Sequence, residues 1–244
     1  MCTVSFAPTS NTNFVLTSNR DEQLKRKSAL VPQIENINGV NVLYPKDGEK
    51  GGTWIGATNQ NRVICLLNGA FIKHTTTPPY AKSRGIVVKD LLICYDIKFT
   101  LNQYDLNNIE PFTLVIVEYD DNLNLIEFRW DGNIKHFNYL NTNEVHIWSS
   151  CTLYSNSEAT HKEKKFKAAI KPNFKNDDII NFHEYGTKTE PLLMTYTANP
   201  LYGTISITQI IKSSDCVEMK YKDTLSQIIN KQTIKSKVCK KVEL

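Results

Sequence analysis

Strand-forming segments in this chain come in consecutive runs joined by short turns, and that pattern constrains the fold more than any other feature. Residues 3–7 alternate, residues 8–13 are rich in turn formers, and residues 14–17 return as a second strand. This reads as an antiparallel hairpin. Beyond a polar loop, residues 54–58 and 62–67 make a second pair around Asn59-Gln60-Asn61, whose asparagines suit a tight turn. Residues 112–119, 124–130, 134–139 and 145–149 predict a four-stranded meander, with Asp131-Gly132 as its clearest hairpin turn. Residues 204–212 and 217–221 predict a closing hairpin. Short turns join antiparallel neighbours, whereas parallel strands need long crossovers. The class is therefore α+β rather than a doubly wound parallel sheet.

Helices fall between the strand runs. Pro78-Pro79 predicts a helix over residues 81–95, since proline is tolerated in the first turn. Asn156 or Ser157 is placed to cap a helix that carries Lys162 to Ile170 and stops before Pro172. Asp177-Asp178 begins another, ended by Gly186. No internal repeat and no Pro/Gly/Ser-rich linker divides the 244 residues, so residues 1–244 read as a single domain.

The balance of charges excludes several functions. A formal net charge of +4 is small for this length. The lysines between 162 and 167 and in the tail from 231 to 241 lack an aromatic-interleaved basic face, so no nucleic-acid partner is expected. Cysteines at 2, 65, 94, 151, 216 and 239 form no Cys-x-x-Cys pair, and the five histidines include no His-Glu-x-x-His. No metal site is expected. No stretch reaches the roughly 18 apolar residues of a membrane span, and no export signal is recognisable. The expectation is a reduced, cytoplasmic protein.

The chemistry concentrates at the chain start. If Met1 is trimmed, Cys2 carries a thiol and a free α-amine on one residue. An α-amine has a reference pKa of about 7.7–8.0, so near neutral pH it can take the thiol proton while sulfur attacks a carbonyl. The first hairpin returns to Asn19-Arg20-Asp21-Glu22 beside this start. An arginine lowers a thiol pKa and a carboxylate orients an ammonium, although Arg20 and Asp21 equally suit a surface ion pair. Gly51-Gly52 precede Thr53 and Trp54 and permit close approach of backbone to a ligand, or simply a turn into a strand with Trp54 in the core. Asn68, ending an apolar run, suits an oxyanion donor or a turn cap with Gly69. Arg84, at the expected start of a helix, suits a carboxylate or phosphate.

Met1-Cys2, Asn19-Arg20-Asp21-Glu22, Gly51-Gly52-Thr53-Trp54, Leu67-Asn68 and Ser83-Arg84-Gly85 together resemble the NRDE family, also called the transport and Golgi organisation 2 family. Trp148-Ser149-Ser150, Thr152-Leu153-Tyr154 and Tyr202-Gly203-Thr204 extend the likeness, in order, over most of the chain. That family is similar in turn to cysteine N-terminal-nucleophile (Ntn) hydrolases of the penicillin V acylase and bile-salt hydrolase type. The resemblance implies a four-layer αββα sandwich of two antiparallel sheets. It also implies that Cys2 is the nucleophile and its amine the base, with Asp21 orienting the amine, Arg20 supporting the thiolate and Asn68 donating to the oxyanion. One departure stands out: many members have an arginine where this chain has Ile205.

Two functions follow from these readings. One is a hydrolase of a small-molecule amide or thioester that acts through Cys2, needs no cofactor, and places Gly51, Gly52, Thr53, Trp54 and Arg84 around its substrate. The other is a non-catalytic haem or acyl/lipid-metabolite binding and trafficking protein on the same scaffold, a role in haem homeostasis, although no Cys-x-x-Cys-His motif supports haem attachment.

Overall fold

The structure is a computed structural model that describes residues 3–185 and 202–236, with Tyr202 described by its backbone alone. The hairpin expected first in the chain is present as β1 (Thr3–Pro8) and β2 (Phe14–Gln23), with Thr3 opposite Asn19 and Phe6 opposite Leu16. Side chains alternate between the faces of a strand. Val4, Phe6, Phe14 and Leu16 therefore enter one core, while Ala7 and Val15 enter another. Both faces of this hairpin are covered.

Elements follow in the order β3 (Leu30–Ile37), β4 (Val40–Lys46), β5 (Ile55–Thr58), β6 (Arg62–Asn68), α1 (Arg84–Leu92), α2 (Ile97–Gln103), β7 (Phe112–Tyr119), β8 (Leu123–Trp130), β9 (Lys135–Leu140) and β10 (His146–Ser149). The chain continues through α3 (Asn156–Ala169), α4 (Asn176–Tyr185), β11 (Tyr202–Ser213), β12 (Cys216–Asp223) and β13 (Ile229–Lys235). One sheet has the order β10-β1-β2-β11-β12-β13 and the other runs from β3 to β9 in sequence order. Every described pairing is antiparallel.

The larger core contains Phe6, Leu16 and Met219 from the first sheet together with Val63, Cys65 and Val115 from the second. A fully buried side chain of this size contributes about 1.5–3 kcal/mol. The smaller core joins Ala7 and Val15 to Phe166 and Ile170 of the α3 region and to Ile179 and Phe182 of α4, so these helices cover the outer face of the first sheet. On the second sheet, the buried face of α1 presents Val87, Val88, Leu91 and Leu92. Arg62 on β6 holds the end of that helix, donating to the carbonyls of Leu91 and Cys94 while pairing with Glu118 at 2.7 Å. The α+β class and the αββα layering hold.

Several local expectations are corrected. The helix expected over 81–95 starts at Arg84, with Ser83 as its N-cap, so the prolines lie in the preceding loop. The segment expected as the fourth strand of a meander leaves β7–β9 and becomes β10, paired with β1 through Thr3–Ser149 and Phe6–His146. The polar stretch before Gly51 contains the β3–β4 hairpin, turned by Asn38 and Gly39 at positive φ. The basic tail supplies β13, which pairs with β12 through Val217–Ile234. Helix α3 is capped by Ser155, in a reciprocal capping box with Glu158, rather than by Asn156 or Ser157. Gly186 lies outside the described residues.

Candidate active site

Arg20 and Asp21 lie near the end of β2, a strand held between β1 and β11. Adjacent strand residues point to opposite faces, and the two side chains accordingly have separate environments. Arg20 turns toward Trp54, its guanidinium carbon 4.2 Å from the ring centroid. Its Nη2 donates to Asp47 Oδ2 at 2.6 Å. Asp21 receives a hydrogen bond from the Thr204 hydroxyl, and the Tyr154 hydroxyl lies 3.5 Å from its Oδ2. A β-bulge between Thr204 and Ser206 sits opposite this pair and contains Ile205, which is buried.

Asp47 is the electrostatic hub that sequence reasoning missed. Besides Arg20, it accepts from Arg26 Nε at 3.1 Å and from the amides of Glu49 and Lys50. Burial raises its pKa, but the hydrogen bonds from Arg26 and the Lys50 amide and the charges of Arg26 and Arg20 outweigh it, leaving the carboxyl below its ordinary value. Burial pushes the Arg20 guanidinium below its own ordinary value against the opposing pull of Asp47. Nothing local in Lys46-Asp47-Gly48-Glu49-Lys50 distinguishes this aspartate from a turn residue. Only the long-range contact does.

The glycine-rich segment is explained by packing. Gly51 has φ +68° and donates to the Asp47 carbonyl, closing the turn. A β-carbon on Gly52 would lie 2.5 Å from the carbonyl carbon of Gly85. The Thr53 amide donates to the Gly85 carbonyl, and the Thr53 hydroxyl donates within reach of the Pro45 and Ile55 carbonyls. The Gly51-Gly52-Thr53-Trp54 and Ser83-Arg84-Gly85 motifs thus form one unit, backbone against backbone, that fixes the start of α1.

A cavity of about 790 Å³ opens over this unit. Arg20, Gly52, Thr53, Trp54, Asn68 and Arg84 all line it; Gly51 does not. Arg84 is tied up, pairing with Glu110 at 2.9 Å and donating to the Pro111 carbonyl. Burial lowers its pKa against the pull of Glu110. Asn68 is the opposite case: its backbone carbonyl accepts from the Ser150 hydroxyl, and no hydrogen bond of its side-chain amide occurs among the described residues. Cys2 lies outside the described residues. Its bonded neighbour Thr3 pairs with Asn19, the residue before Arg20.

Beneath the strand, on the face of α4, His183 is fully buried, and burial pushes its pKa down to about 3. Its Nδ1 lies 2.7 Å from Asn19 Oδ1 and its Nε2 lies 2.7 Å from Ser5 Oγ. An amide oxygen only accepts, so Nδ1 carries the proton and the Ser5 hydroxyl donates to Nε2. The Asn19 amide in turn donates to the His183 carbonyl. This network ties α4 to both strands of the hairpin. No metal-holding group of three His, Cys, Asp or Glu residues occurs among the described residues, and none of their helices is long and apolar enough to cross a membrane.

The fold is similar to that of the N-acylethanolamine-hydrolyzing acid amidase ortholog of Caenorhabditis elegans, with TM-score 0.59 and 12% identity, covering 86% of this chain and 92% of that one. It is also similar to two variants of the conjugated bile acid hydrolase from Clostridium perfringens. One has TM-score 0.53 and 9% identity over 95% of this chain and 92% of that one. The other has TM-score 0.55 and 8% identity over 100% and 99%. At these identities the likeness is one of fold. No curated protein sequence matches the chain. The family model described as Transport and Golgi organisation 2 matches residues 1–232, and the chain belongs to that family.

Proposed function

We propose that this protein is a cysteine hydrolase of small-molecule amides or thioesters that acts through Cys2 once Met1 is removed. The observation that carries this reading is the pairing of Thr3 with Asn19. Consecutive Cα atoms lie about 3.8 Å apart, so the chain start is tethered to the strand whose next residue, Arg20, lines the cavity. The Cys2 thiol gives its proton to the α-amine, and the resulting thiolate attacks the substrate carbonyl carbon. The tetrahedral oxyanion accepts a hydrogen bond from the side-chain amide of Asn68, which makes none among the described residues, and the leaving amine or thiol departs with the proton. Water, deprotonated by the same amine, then releases the acid and regenerates the thiol.

Two of the other thiols stand in environments unlike that of a nucleophile. Burial pushes Cys65 up to about 12 and raises Cys151 above its ordinary value. Neither environment favours the thiolate that a nucleophile requires. The described wall of the cavity contains no histidine, cysteine or methionine, so that among its described residues Tyr80 is the one haem-ligating residue type.

The test is intact-mass spectrometry of the purified protein, alone and quenched during turnover of a panel of acyl amides and thioesters. The expected result is a chain lacking Met1 that gains one acyl group, with neither adduct nor turnover in Cys2→Ala. Wild-type turnover by Cys2→Ala, or complete retention of Met1 in an active protein, overturns the reading.

A further inference from the structure

The Trp148-Ser149-Ser150 segment takes no part in the reaction as drawn, yet it is joined to both ends of it. Ser149, the last residue of β10, pairs with Thr3, the residue bonded to Cys2. The next residue, Ser150, is buried, and its hydroxyl donates to the Asn68 carbonyl at 2.7 Å. β1 and β10 belong to the first sheet, whereas Asn68 ends β6 in the second. Consecutive Cα atoms are about 3.8 Å apart. Two adjacent serines thus span from the strand that follows Cys2 to the residue whose amide meets the oxyanion.

The Ser150 hydroxyl has a fixed direction. Its oxygen lies 2.8 Å from Thr152 Oγ1. A serine hydroxyl has one proton and two lone pairs; with that proton on the Asn68 carbonyl, Thr152 is the donor of the second bond. The turn after Asn68 is held as closely. Gly69 has φ +79°, its amide donates to the Pro111 carbonyl at 3.0 Å, and its carbonyl accepts from the Thr113 hydroxyl at 2.9 Å. A β-carbon on Gly69 would lie 2.5 Å from Cys151 Sγ and 2.9 Å from Thr152 Cγ2. Residues 150–152 therefore back the Asn68-Gly69 turn directly.

Ser150 does not line the large cavity that Asn68 lines; it belongs, with Gly69 and Cys151, to the wall of a separate cavity of about 220 Å³. It is therefore placed to act on Asn68 from behind. The Asn68 side-chain amide has no hydrogen bond among the described residues that would aim it. Its direction depends on its backbone, and an oxyanion donor must be held within about 0.5 Å of its productive place.

We propose that Ser150 is a positioning residue, which holds the Asn68 backbone so that its amide reaches the oxyanion and, through Ser149, fixes how far Asn68 stands from Cys2. This rests on the hydrolase reading and adds a residue that substrate never touches.

The experiment compares wild type, Ser150→Ala, Ser150→Thr, Asn68→Ala and the Ser150→Ala/Asn68→Ala double variant on the acyl amide or thioester that wild type turns over fastest. Urea unfolding establishes that each is folded. Ser150→Ala should lower kcat roughly 10–100-fold with little change in KM, and Ser150→Thr, which keeps the hydroxyl, should recover most of the loss. On the Asn68→Ala background, Ser150→Ala should cost nothing further, because no amide remains to be aimed. A purely structural role predicts the same fractional loss on both backgrounds. If Ser150→Ala does not fold, Ser150→Cys, a weaker donor on a similar side chain, carries the same comparison. An unchanged kcat in the folded single variant, or an undiminished loss on the Asn68→Ala background, overturns the proposal. Intact mass separates the two readings: a wild-type Cys2 that acylates while Ser150→Ala acylates as fast removes only this inference, whereas no acyl adduct on wild-type Cys2 removes both.

Discussion

Gly52 packs directly against the backbone of Gly85, so closely that a β-carbon on Gly52 would lie 2.5 Å from the Gly85 carbonyl carbon. Gly52→Ala must push the start of α1 off the loop, at a cost on the order of 1–3 kcal/mol. Gly51→Ala is the control. It meets no atom within 4 Å but holds φ +68°, so its cost is about 1–2 kcal/mol of backbone strain. Chemical denaturation measures both. Only Gly52→Ala should also change the cavity, seen as altered exposure of Trp54 by fluorescence.

The Ser5–His183–Asn19 network makes stability depend on pH. The buried imidazole has a pKa of about 3 against an ordinary 6.5. Between those values the unfolded chain binds a proton that the folded chain refuses, so stability falls as pH drops below 6.5. Lowering pH from 7.5 to 5.5 should cost about 1.4 kcal/mol through this residue. Urea unfolding at the two pH values, compared between wild type and His183→Gln, isolates the contribution. An identical pH response in both proteins would show that the imidazole is not held neutral.

Asp47→Asn leaves Arg20 and Arg26 without their shared countercharge. Arg20 and Asp47 have side chains only 4% and 10% exposed, and breaking such a pair costs on the order of 3 kcal/mol. The loss should appear at neutral pH in thermal and denaturant unfolding. As pH falls toward and below 3.8, wild-type Asp47 protonates and the difference should narrow, because its stabilisation is present only while the carboxyl is ionised. A constant difference down to acid pH would assign the effect to packing instead.

Asn68→Ala removes an amide that has no structural partner among the described residues, while the carbonyl that anchors the strand end to Ser150 remains. Folding stability should therefore change little. If the amide meets the oxyanion, kcat falls roughly 10²–10³-fold with a small change in KM. A loss confined to KM would make Asn68 a binding group.

What the sequence reveals differs from element to element. The hairpin ending in Arg20 and Asp21 is legible because its alternation and its turn are local. The β3–β4 hairpin is not, because polar Gln33, Glu35 and Asn36 fall on both faces of β3 while Leu30 and Ile34 are exposed, which obscures the strand signal; its Asn38-Gly39 turn was the available clue. β10 has an ordinary alternating pattern, but alternation does not name a partner, and β1 claims it from the other sheet. Asp47 and His183 escape for a similar reason: their partners are 27 and 164 residues away, and only the completed fold joins them.

The cavity draws its parts from supports of unequal firmness. Arg20 belongs to a strand flanked on both sides by others, whereas Pro78 to Ser83 reach the same space from a connecting loop. Rewriting that loop alters what the cavity admits while the strand-borne Arg20 stays where its neighbours β1 and β11 hold it.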